Sequence, residues 1–382
     1  MASSLDDDDV AAMVEAVRTF AETELGPYAQ ERDEQRIFPV DVIRKAGALG
    51  LGGVNVREEH GGMDLPRQVS VRLFAELARG DVAVAAYISI HNMVAWMVDT
   101  FASEPARAEW VPQLASMDRL ASYCLTEPDA GSDAASLRTS ARRDGDDYVL
   151  NGVKQFISGA GATDLYLVMA RTGEAGARGI SAFLVPAETP GLSFGANERK
   201  MGWHAQPTRQ VILQDVRVPA AQRLGEEGDG FTIAMRGLNG GRLNIAACSV
   251  GGASWAVDRA VAHLHDRVAF GRPLAAQQAL QFTVADMETR LEASRCLLDR
   301  AAAALDAGAP DAVKLCAMAK QFVTDACFEA ANAALQLHGG YGYLAEYGVE
   351  RVVRDLRVHQ ILEGTNEIMR LIVSRATLEG AA

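Results

Sequence analysis

Glu363 is the carboxylate whose setting in the sequence best suits acid–base chemistry. It precedes Gly364 and Thr365 in a break between two segments of helical periodicity. Gly364 allows a ligand to approach the backbone closely, and Thr365 can cap the helix that follows. Spacing alone favours a solvated loop glutamate, so the assignment of Glu363 as a base depends on further patterns.

A second polar run, residues 123–133, leaves a strand-like segment, turns at Pro128 and reaches Gly131 and Ser132. Hydroxyl groups and exposed backbone N–H groups at such a turn can hold a flat heterocycle or a phosphate. A capped turn without a ligand is the alternative interpretation.

Three further glycine-containing runs, residues 239–242, 267–278 and 336–340, lie after residue 226. Each has an ordinary alternative: a helix-start loop with a solvated arginine, a helix C-terminus and a glycine cap, respectively.

His263 and His265 are two residues apart on a predicted helix, so they do not share a face and we predict no metal site. The sequence also lacks the Rossmann, P-loop, zincin and nucleophile-elbow motifs.

Taken together and in order, these runs resemble the acyl-CoA dehydrogenase family, and the resemblance covers essentially the whole chain. It implies that FAD is the cofactor and that Glu363 removes the α-proton of an acyl-CoA. The implied cofactor contacts are Tyr123, Leu125, Thr126, Gly131, Ser132, Phe156, Ile157, Ser158, Arg267, Phe270, Gln277, Gln278, Gln336, Leu337, His338, Gly339, Gly340, Thr365, Asn366 and Glu367. The implied substrate contacts are Ser132, Asn239, Gly240, Gly241, Arg242 and Arg375.

The resemblance also implies an assembly. Arg267 and residues 336–340 resemble the segments that reach the flavin of a neighbouring subunit, so we expect a homo-oligomer, and a tetramer in particular. An electron-transfer flavoprotein is the implied electron acceptor, with molecular oxygen as the alternative.

Within the family, residues 87–93, 202–209 and 238–242 resemble the members that act on isobutyryl-CoA in valine degradation. The implied reaction is α,β-dehydrogenation of isobutyryl-CoA to methacrylyl-CoA. The residues that depart from the commoner medium-chain pattern are Phe156, Asn239, Ala269 and Leu362. Oxidation of 2-methylbutyryl-CoA or a short straight-chain acyl-CoA remains an alternative, as does a non-catalytic acyl-CoA-binding protein on the same scaffold.

Periodicity along the chain predicts three domains of an α+β protein. Apolar residues recur at helical spacing over residues 1–120, short β-rich runs occupy residues 121–226, and helical periodicity returns over residues 227–382. We therefore predict an N-terminal helical domain, a middle antiparallel β domain and a C-terminal four-helix bundle, as the resemblance also implies. Asp144-Gly145, Asn151-Gly152 and Pro190-Gly191 are predicted turns between the strands.

Charge and cysteine content limit the partners and the compartment. The chain has 382 residues and a net charge of −13, which disfavours binding to nucleic acid. Its five cysteines include no C-x-x-C pair, so we expect reduced thiols and a cytoplasmic location. The acidic start MASSLDDDDV does not resemble a signal peptide, and we expect neither export nor membrane insertion.

Overall fold

A computed structural model describes residues 6–379, so the first five residues of the predicted first domain and the last three of the third lie outside the described residues. The first part of the chain is helical, as predicted. Its α-helices are α1 (Asp7–Phe20), α2 (Ala29–Gln35), α3 (Val40–Gly47), α4 (Arg67–Gly80), α5 (Val82–Phe101) and α6 (Glu104–Ala115).

Helix α5 is the apolar centre of this helical part. Asp81 caps it by accepting hydrogen bonds from the backbone N–H groups of Ala83 and Val84 at 3.0 and 3.2 Å. The helix is long and apolar enough to cross a membrane, but 89% of its most apolar window is buried inside the protein. Burial of this kind is typical of a core helix.

The middle part of the chain forms a sheet with the order β6-β7-β3-β2-β4-β5-β8, and β1 pairs with β4 beside this path. The strands are β1 (Ala121–Cys124), β2 (Ser140–Asp144), β3 (Asp147–Ser158), β4 (Leu165–Arg171), β5 (Ile180–Pro186), β6 (Leu192–Phe194), β7 (Thr208–Pro219) and β8 (Arg223–Leu224). Most pairs are antiparallel, as predicted. The pairs that β4 makes with β1 and with β2 are parallel, and other strands lie between the partners along the chain, as parallel pairing requires.

The prediction of a turn at Asn151-Gly152 was wrong. Both residues lie inside β3, at a register shift in its pairing with β7. Gly152 has φ +153°, and a Cβ atom there would come within 2.4 Å of the Thr139 hydroxyl oxygen. The glycine therefore marks a β-bulge and a close approach, two other reasons for glycine in a strand.

The last part of the chain is again helical. Its α-helices are α7 (Gly230–Asp266), α8 (Gln278–Asp306), α9 (Ala312–Leu337), α10 (Val349–Arg357) and α11 (Asn366–Glu379), with a two-stranded ribbon of β9 (Val268–Ala269) and β10 (Arg272–Pro273) before α8. The steps of four and seven residues from Met287 to Leu291 and on to Leu298 predict one apolar face of α8. This prediction is confirmed, since all three residues are buried. Gly308 follows this helix in the left-handed conformation, as expected of a helix end.

The helices of the first and last parts share one hydrophobic core. Residues of α4 and α5, including Phe74 and Tyr87, belong to the same buried cluster as Leu243, Leu291 and Val323 of α7, α8 and α9. The sheet has its own core on one face and packs its other face against α5, α6 and the start of α7. Helix α7 consequently contacts both halves of the molecule.

Candidate active site

Glu363 lies in the loop between α10 and α11, and its backbone adopts the left-handed conformation with φ +53°. This conformation is strained for a residue with a side chain, and such strain is concentrated at functional sites. Both carboxylate oxygens are shielded from water, although the residue as a whole is only half-buried, and neither has a hydrogen-bond partner. A buried carboxylate without a partner is available to bind a ligand atom or accept a proton.

Two buried cations hold the loop around Glu363 through its main chain. Arg242 Nε donates to the carbonyl oxygen of Glu363 at 3.3 Å, and Lys320 Nζ donates to the carbonyl oxygen of Gly364 at 2.8 Å. Lys320 also donates to Asn366 Oδ1 at 2.9 Å. The carboxylate itself receives none of these hydrogen bonds, so its position is fixed while its oxygens remain free.

The electrostatic setting suits a base that works near neutral pH. Burial raises the pKa of Glu363 to about 7, although the nearby charges of Lys320 and Arg242 act in the opposite direction. Burial also lowers the pKa of Lys320 to about 8. The desolvation of the carboxylate therefore outweighs the attraction of the two cations.

The absence of a side chain at Gly241 makes room for the carboxylate. A Cβ atom at this position would lie 2.5 Å from Glu363 Oε2, which is closer than van der Waals contact permits. Arg242 Nη1 donates to Asn239 Oδ1 at 2.9 Å, so the run predicted to contact substrate is ordered around Glu363. The structure thus brings Gly241 and Arg242 together with Glu363, as the sequence-based interpretation requires.

Tyr123 brings the predicted run of residues 123–133 into the region around Glu363. Its hydroxyl group is buried and has no partner, and its pKa is raised by burial and, to a lesser extent, by the charge of Glu363. Leu125 and Thr126 are held against β3, since their carbonyl oxygens accept from Lys154 Nζ at 3.1 Å and from the backbone N–H of Gln155 at 2.8 Å. Beyond this anchored stretch, Gly131 and Ser132 are exposed.

Phe156 forms an exposed aromatic surface at a second bulge of β3. The backbone φ of Phe156 is +59°, and the register of β3 with β7 shifts between Lys154 and Ile157. Phe156 is 62% exposed, whereas Ile157 is buried. The Ser158 carbonyl accepts from Ser122 Oγ at 2.6 Å, which joins this strand to β1. An outward aromatic ring fits the face of a flat heterocycle such as a flavin.

Arg267 and the run 336–340 lie together at one end of the bundle. The His263 and His338 rings stack with centroids 4.7 Å apart, and the Arg267 guanidinium lies 5.7 Å from the centre of the Tyr341 ring. Among the described residues, no hydrogen bond joins this group to Glu363, Tyr123 or Phe156. Their role at a flavin site therefore stays a prediction that involves a second subunit.

The other predicted contacts differ in how accessible they are. Asn366 is buried, and its side chain bonds to Lys320, Thr324 and Asp325, so it orders the loop rather than facing a ligand. Thr365 Oγ1 caps α11 by accepting from the backbone N–H of Ile368 at 3.3 Å. Gln277 is half-buried and accepts a hydrogen bond from Arg272, and Leu337 is buried. The exposed predicted contacts are Phe270, Gln278, Gln336, Gly339, Gly340, Glu367 and Arg375.

The sequence analysis did not identify Lys320, although its position on an apolar face of a helix could have indicated a buried role. It is a fully buried lysine on a face of α9 that otherwise contains Cys316, Val323 and Cys327. A lone charge within an apolar stripe indicates a buried partner, and here that partner is the main chain of the Glu363 loop.

Comparison with known proteins agrees with this arrangement. Residues 7–118, 122–216 and 228–378 match the N-terminal, middle and C-terminal domains of acyl-CoA dehydrogenase. The chain is 54% identical to mitochondrial isobutyryl-CoA dehydrogenase of Bos taurus, over 94% of this chain and 86% of that protein. It is 53% identical to the enzyme of the same name from Dictyostelium discoideum, over 93% of this chain and 86% of that protein.

Among solved structures, butyryl-CoA dehydrogenase from Megasphaera elsdenii superposes with a TM-score of 0.94 at 37% identity, covering 99% of this chain and 100% of that chain. The matches span all three parts of the fold and include the runs that surround Glu363. This chain belongs to the acyl-CoA dehydrogenase family.

Proposed function

We propose that this chain catalyses the FAD-dependent α,β-dehydrogenation of isobutyryl-CoA to methacrylyl-CoA, a step of valine catabolism. The observation that carries the proposal is the Glu363 carboxylate, which is buried, lacks a partner and faces Gly241 on α7. Identity above 50% to two proteins named isobutyryl-CoA dehydrogenase supports the choice of acyl group.

In this reaction Glu363 takes the proton from the α-carbon of the thioester. The electron pair of that C–H bond forms the double bond, and hydride leaves the β-carbon. When bound, FAD supplies the acceptor for this hydride and so gains two electrons. Arg242 and Lys320 keep the base in one place by donating to main-chain carbonyl oxygens of its loop, and Lys320 also donates to the Asn366 side chain. This fixed orientation lowers the barrier.

The residues that would hold FAD are those of the Tyr123–Ser132 run and the exposed ring of Phe156. The free hydroxyl of Tyr123 and the open space around Gly131, where a Cβ atom would meet nothing within 4 Å, support this assignment. The Tyr123 hydroxyl and the peptide groups of the run offer hydrogen bonds, and Phe156 offers a stacking surface.

Assembly and electron transfer complete the proposal. We infer a homotetramer in which Arg267 and residues 336–340 reach the flavin of a neighbouring subunit. Two aromatic residues near these segments in the sequence, Phe270 and Tyr343, are 94% and 82% exposed, which supports a second subunit that covers them.

We propose an electron-transfer flavoprotein as the electron acceptor. We also propose a cytoplasmic location, which the five free cysteines support.

A substrate panel tests the proposal. Purified protein is expected to release FAD on denaturation, and isobutyryl-CoA is expected to reduce the bound flavin with a higher kcat/KM than 2-methylbutyryl-, butyryl- or octanoyl-CoA. Glu363→Gln should keep FAD and lose about 10²–10⁴-fold in reduction rate, because the amide cannot act as the base.

Each alternative has its own outcome in the same assay. Higher efficiency with butyryl-CoA or 2-methylbutyryl-CoA would overturn the choice of substrate and leave the reaction type intact. Acyl-CoA binding without any flavin reduction would favour a non-catalytic binding protein. Full FAD loading and activity in a monomer, as measured by light scattering, would contradict the tetramer.

A further inference from the structure

Arg171, the last residue of β4, connects two loops of the middle domain. Its Nε and Nη2 donate to the Leu137 carbonyl oxygen at 3.0 and 2.9 Å, and Nη2 also donates to the Ala135 carbonyl oxygen at 2.8 Å. On the other side, Nη1 donates to the carbonyl oxygens of Glu174 and Gly176 at 2.6 and 3.1 Å. The five N–H donors of a guanidinium group are thus matched by five hydrogen bonds to main-chain carbonyl oxygens.

The partners of Arg171 distinguish it from an ordinary surface arginine. All of them are main-chain oxygens, and among the described residues its side chain forms no ion pair. The guanidinium group is planar and holds its donors in a fixed fork, which the single nitrogen of a lysine cannot reproduce. Arg171 therefore acts through the geometry of its fork, because it bonds to both loops at the same time.

The first of these loops, between β1 and β2, contains Gly131 and Ser132, which we propose as contacts of FAD. The backbone N–H groups of residues 131–135 make no hydrogen bond among the described residues. A Cβ atom at Gly131 would meet nothing within 4 Å, so the space beside these donors is open. A row of unpaired main-chain donors suits an anionic group, and binding is strong when the donors are held in place beforehand.

Arg171 supplies the hydrogen bonds that attach this part of the loop to the sheet. Among the described residues, no other hydrogen bond joins residues 131–137 to the rest of the protein. The next attachment along the chain is the carboxylate of Glu127, which accepts from the backbone N–H groups of Arg138 and Thr139 at 2.6 and 2.9 Å. Loss of the Arg171 fork would leave the row of free donors attached only beyond its end.

We propose that Arg171 is a positioning residue that holds residues 131–135 in the conformation that binds FAD and acyl-CoA. The proposal rests on the proposed function and names a residue that controls the affinity of the site. A mobile loop must be ordered when the ligand binds, which costs conformational entropy, whereas a loop fixed in advance avoids this cost. Among the described residues, no hydrogen bond joins Arg171 to the loop of Glu363, so the chemical step should be nearly independent of it.

Retention of FAD by the holoenzyme measures this role without turnover. Dilution of wild-type and Arg171→Gln holoenzyme, followed by the fluorescence of released flavin, gives the Kd of FAD. We expect the Kd to rise about tenfold in the variant, because the loop must then be ordered on binding.

The kinetics of flavin reduction give a second measurement, made in excess FAD with the acyl-CoA that reduces wild-type protein best. Arg171→Gln should raise KM about fivefold to tenfold, because Ser132 is also a proposed substrate contact, and kcat should stay within about twofold. A larger effect on KM than on kcat is the result expected of a residue that positions the binding loop.

Arg171→Lys separates the geometry of the fork from its charge. The ammonium group keeps the charge but cannot reach the carbonyl oxygens of both loops, so we expect the Kd of FAD to rise about fivefold. If Arg171→Gln does not fold, the Lys variant provides the same test. Arg142→Gln is the matched control and should leave the Kd unchanged, because it removes one positive charge from an exposed position on β2.

Three results would overturn the positioning role. Reduced thermal stability, with the Kd of FAD and KM both within about twofold of wild type, would show that Arg171 serves the fold alone. A wild-type Kd in Arg171→Lys would show that bridging of the two loops is not needed. A loss of kcat with unchanged Kd and KM would assign its effect to the chemical step.

These three results leave the proposed function intact. A wild-type protein that holds no FAD would overturn both proposals. A wild-type protein whose flavin is reduced best by an acyl-CoA other than isobutyryl-CoA would overturn the proposed substrate alone.

Discussion

Glu363 combines a fixed position with a free functional group. Its carbonyl oxygen and that of Gly364 accept from Arg242 and Lys320, whereas its carboxylate oxygens have no protein partner. An ion pair with either cation would have favoured the charged form and kept the pKa low. Because the cations bond to the main chain instead, burial is the largest influence on the pKa of Glu363.

The rate of flavin reduction is expected to depend on the protonation of Glu363. Since burial raises the pKa of Glu363 to about 7, the group is mostly protonated below that pH and mostly a carboxylate above it. The base must be unprotonated, so kcat/KM should rise about tenfold per pH unit below pH 7 and level off above it. Stopped-flow reduction by substrate between pH 5.5 and 8.5 measures this profile.

A flat profile across that range, with FAD retained throughout, would contradict the raised pKa of the base. Absorbance of the bound flavin at each pH is the control for cofactor loss. Glu363→Gln should show no such inflection in its residual rate.

At the residue scale, the sequence predicted the candidate base and two of its neighbours but not every residue that holds them. Glu363, Gly241 and Arg242 were predicted and are adjacent in the structure. Lys320 was not predicted, because it lies 44 residues from its acceptor Gly364 and belongs to no short motif. Partners that are distant in sequence become neighbours only through the packing of α9 against the loop.

Helices and strands were predicted well where periodicity was strong. The apolar face of α8 is an example, whereas Asn151-Gly152 was interpreted as a turn and lies within β3. The dipeptide is a turn signal by local chemistry, but pairing with β2 and β7 on both sides continues the strand through it. Tertiary pairing overrides local preference at this position.

Lys320 of α9 donates hydrogen bonds to two oxygen atoms of the loop that follows Glu363, and Lys320→Met tests its role. The change leaves the Gly364 carbonyl and Asn366 Oδ1 without their buried donor, which should destabilise the protein by about 1–3 kcal/mol per group. A misplaced base should lower kcat for flavin reduction about 10²-fold with little change in KM. Stopped-flow kinetics and thermal unfolding measure the two effects.

Lys320 acts as a positioning residue, so its removal should also move the pH profile. Its positive charge lowers the pKa of Glu363, and without it the inflection should shift above pH 7. Loss of stability with an unchanged profile and unchanged kcat would show that Lys320 serves the fold alone.

At the scale of the whole molecule, helices from both ends of the sequence depend on close contacts with α7. A Cβ atom on Gly251 would lie 2.0 Å from the Ala75 carbonyl oxygen of α4, so Gly251→Ala must push the two helices apart. We expect a loss of about 1–3 kcal/mol in the free energy of unfolding, measured by denaturant titration. Gly173→Ala, where the nearest atom to a Cβ would be the Gly179 Cα at 3.4 Å, is the control and should change stability far less.

Helix α7 also determines how the molecule unfolds. It contributes Ile233 to the cluster shared with the sheet and Leu243 to the cluster shared with α4, α8 and α9. Opening either half removes packing from the other, so the three parts of the sequence are not independent folding units. Amide hydrogens in the middle of α7 should exchange only by global unfolding, at the same rate as those in α5, whereas α11 should exchange through local fraying.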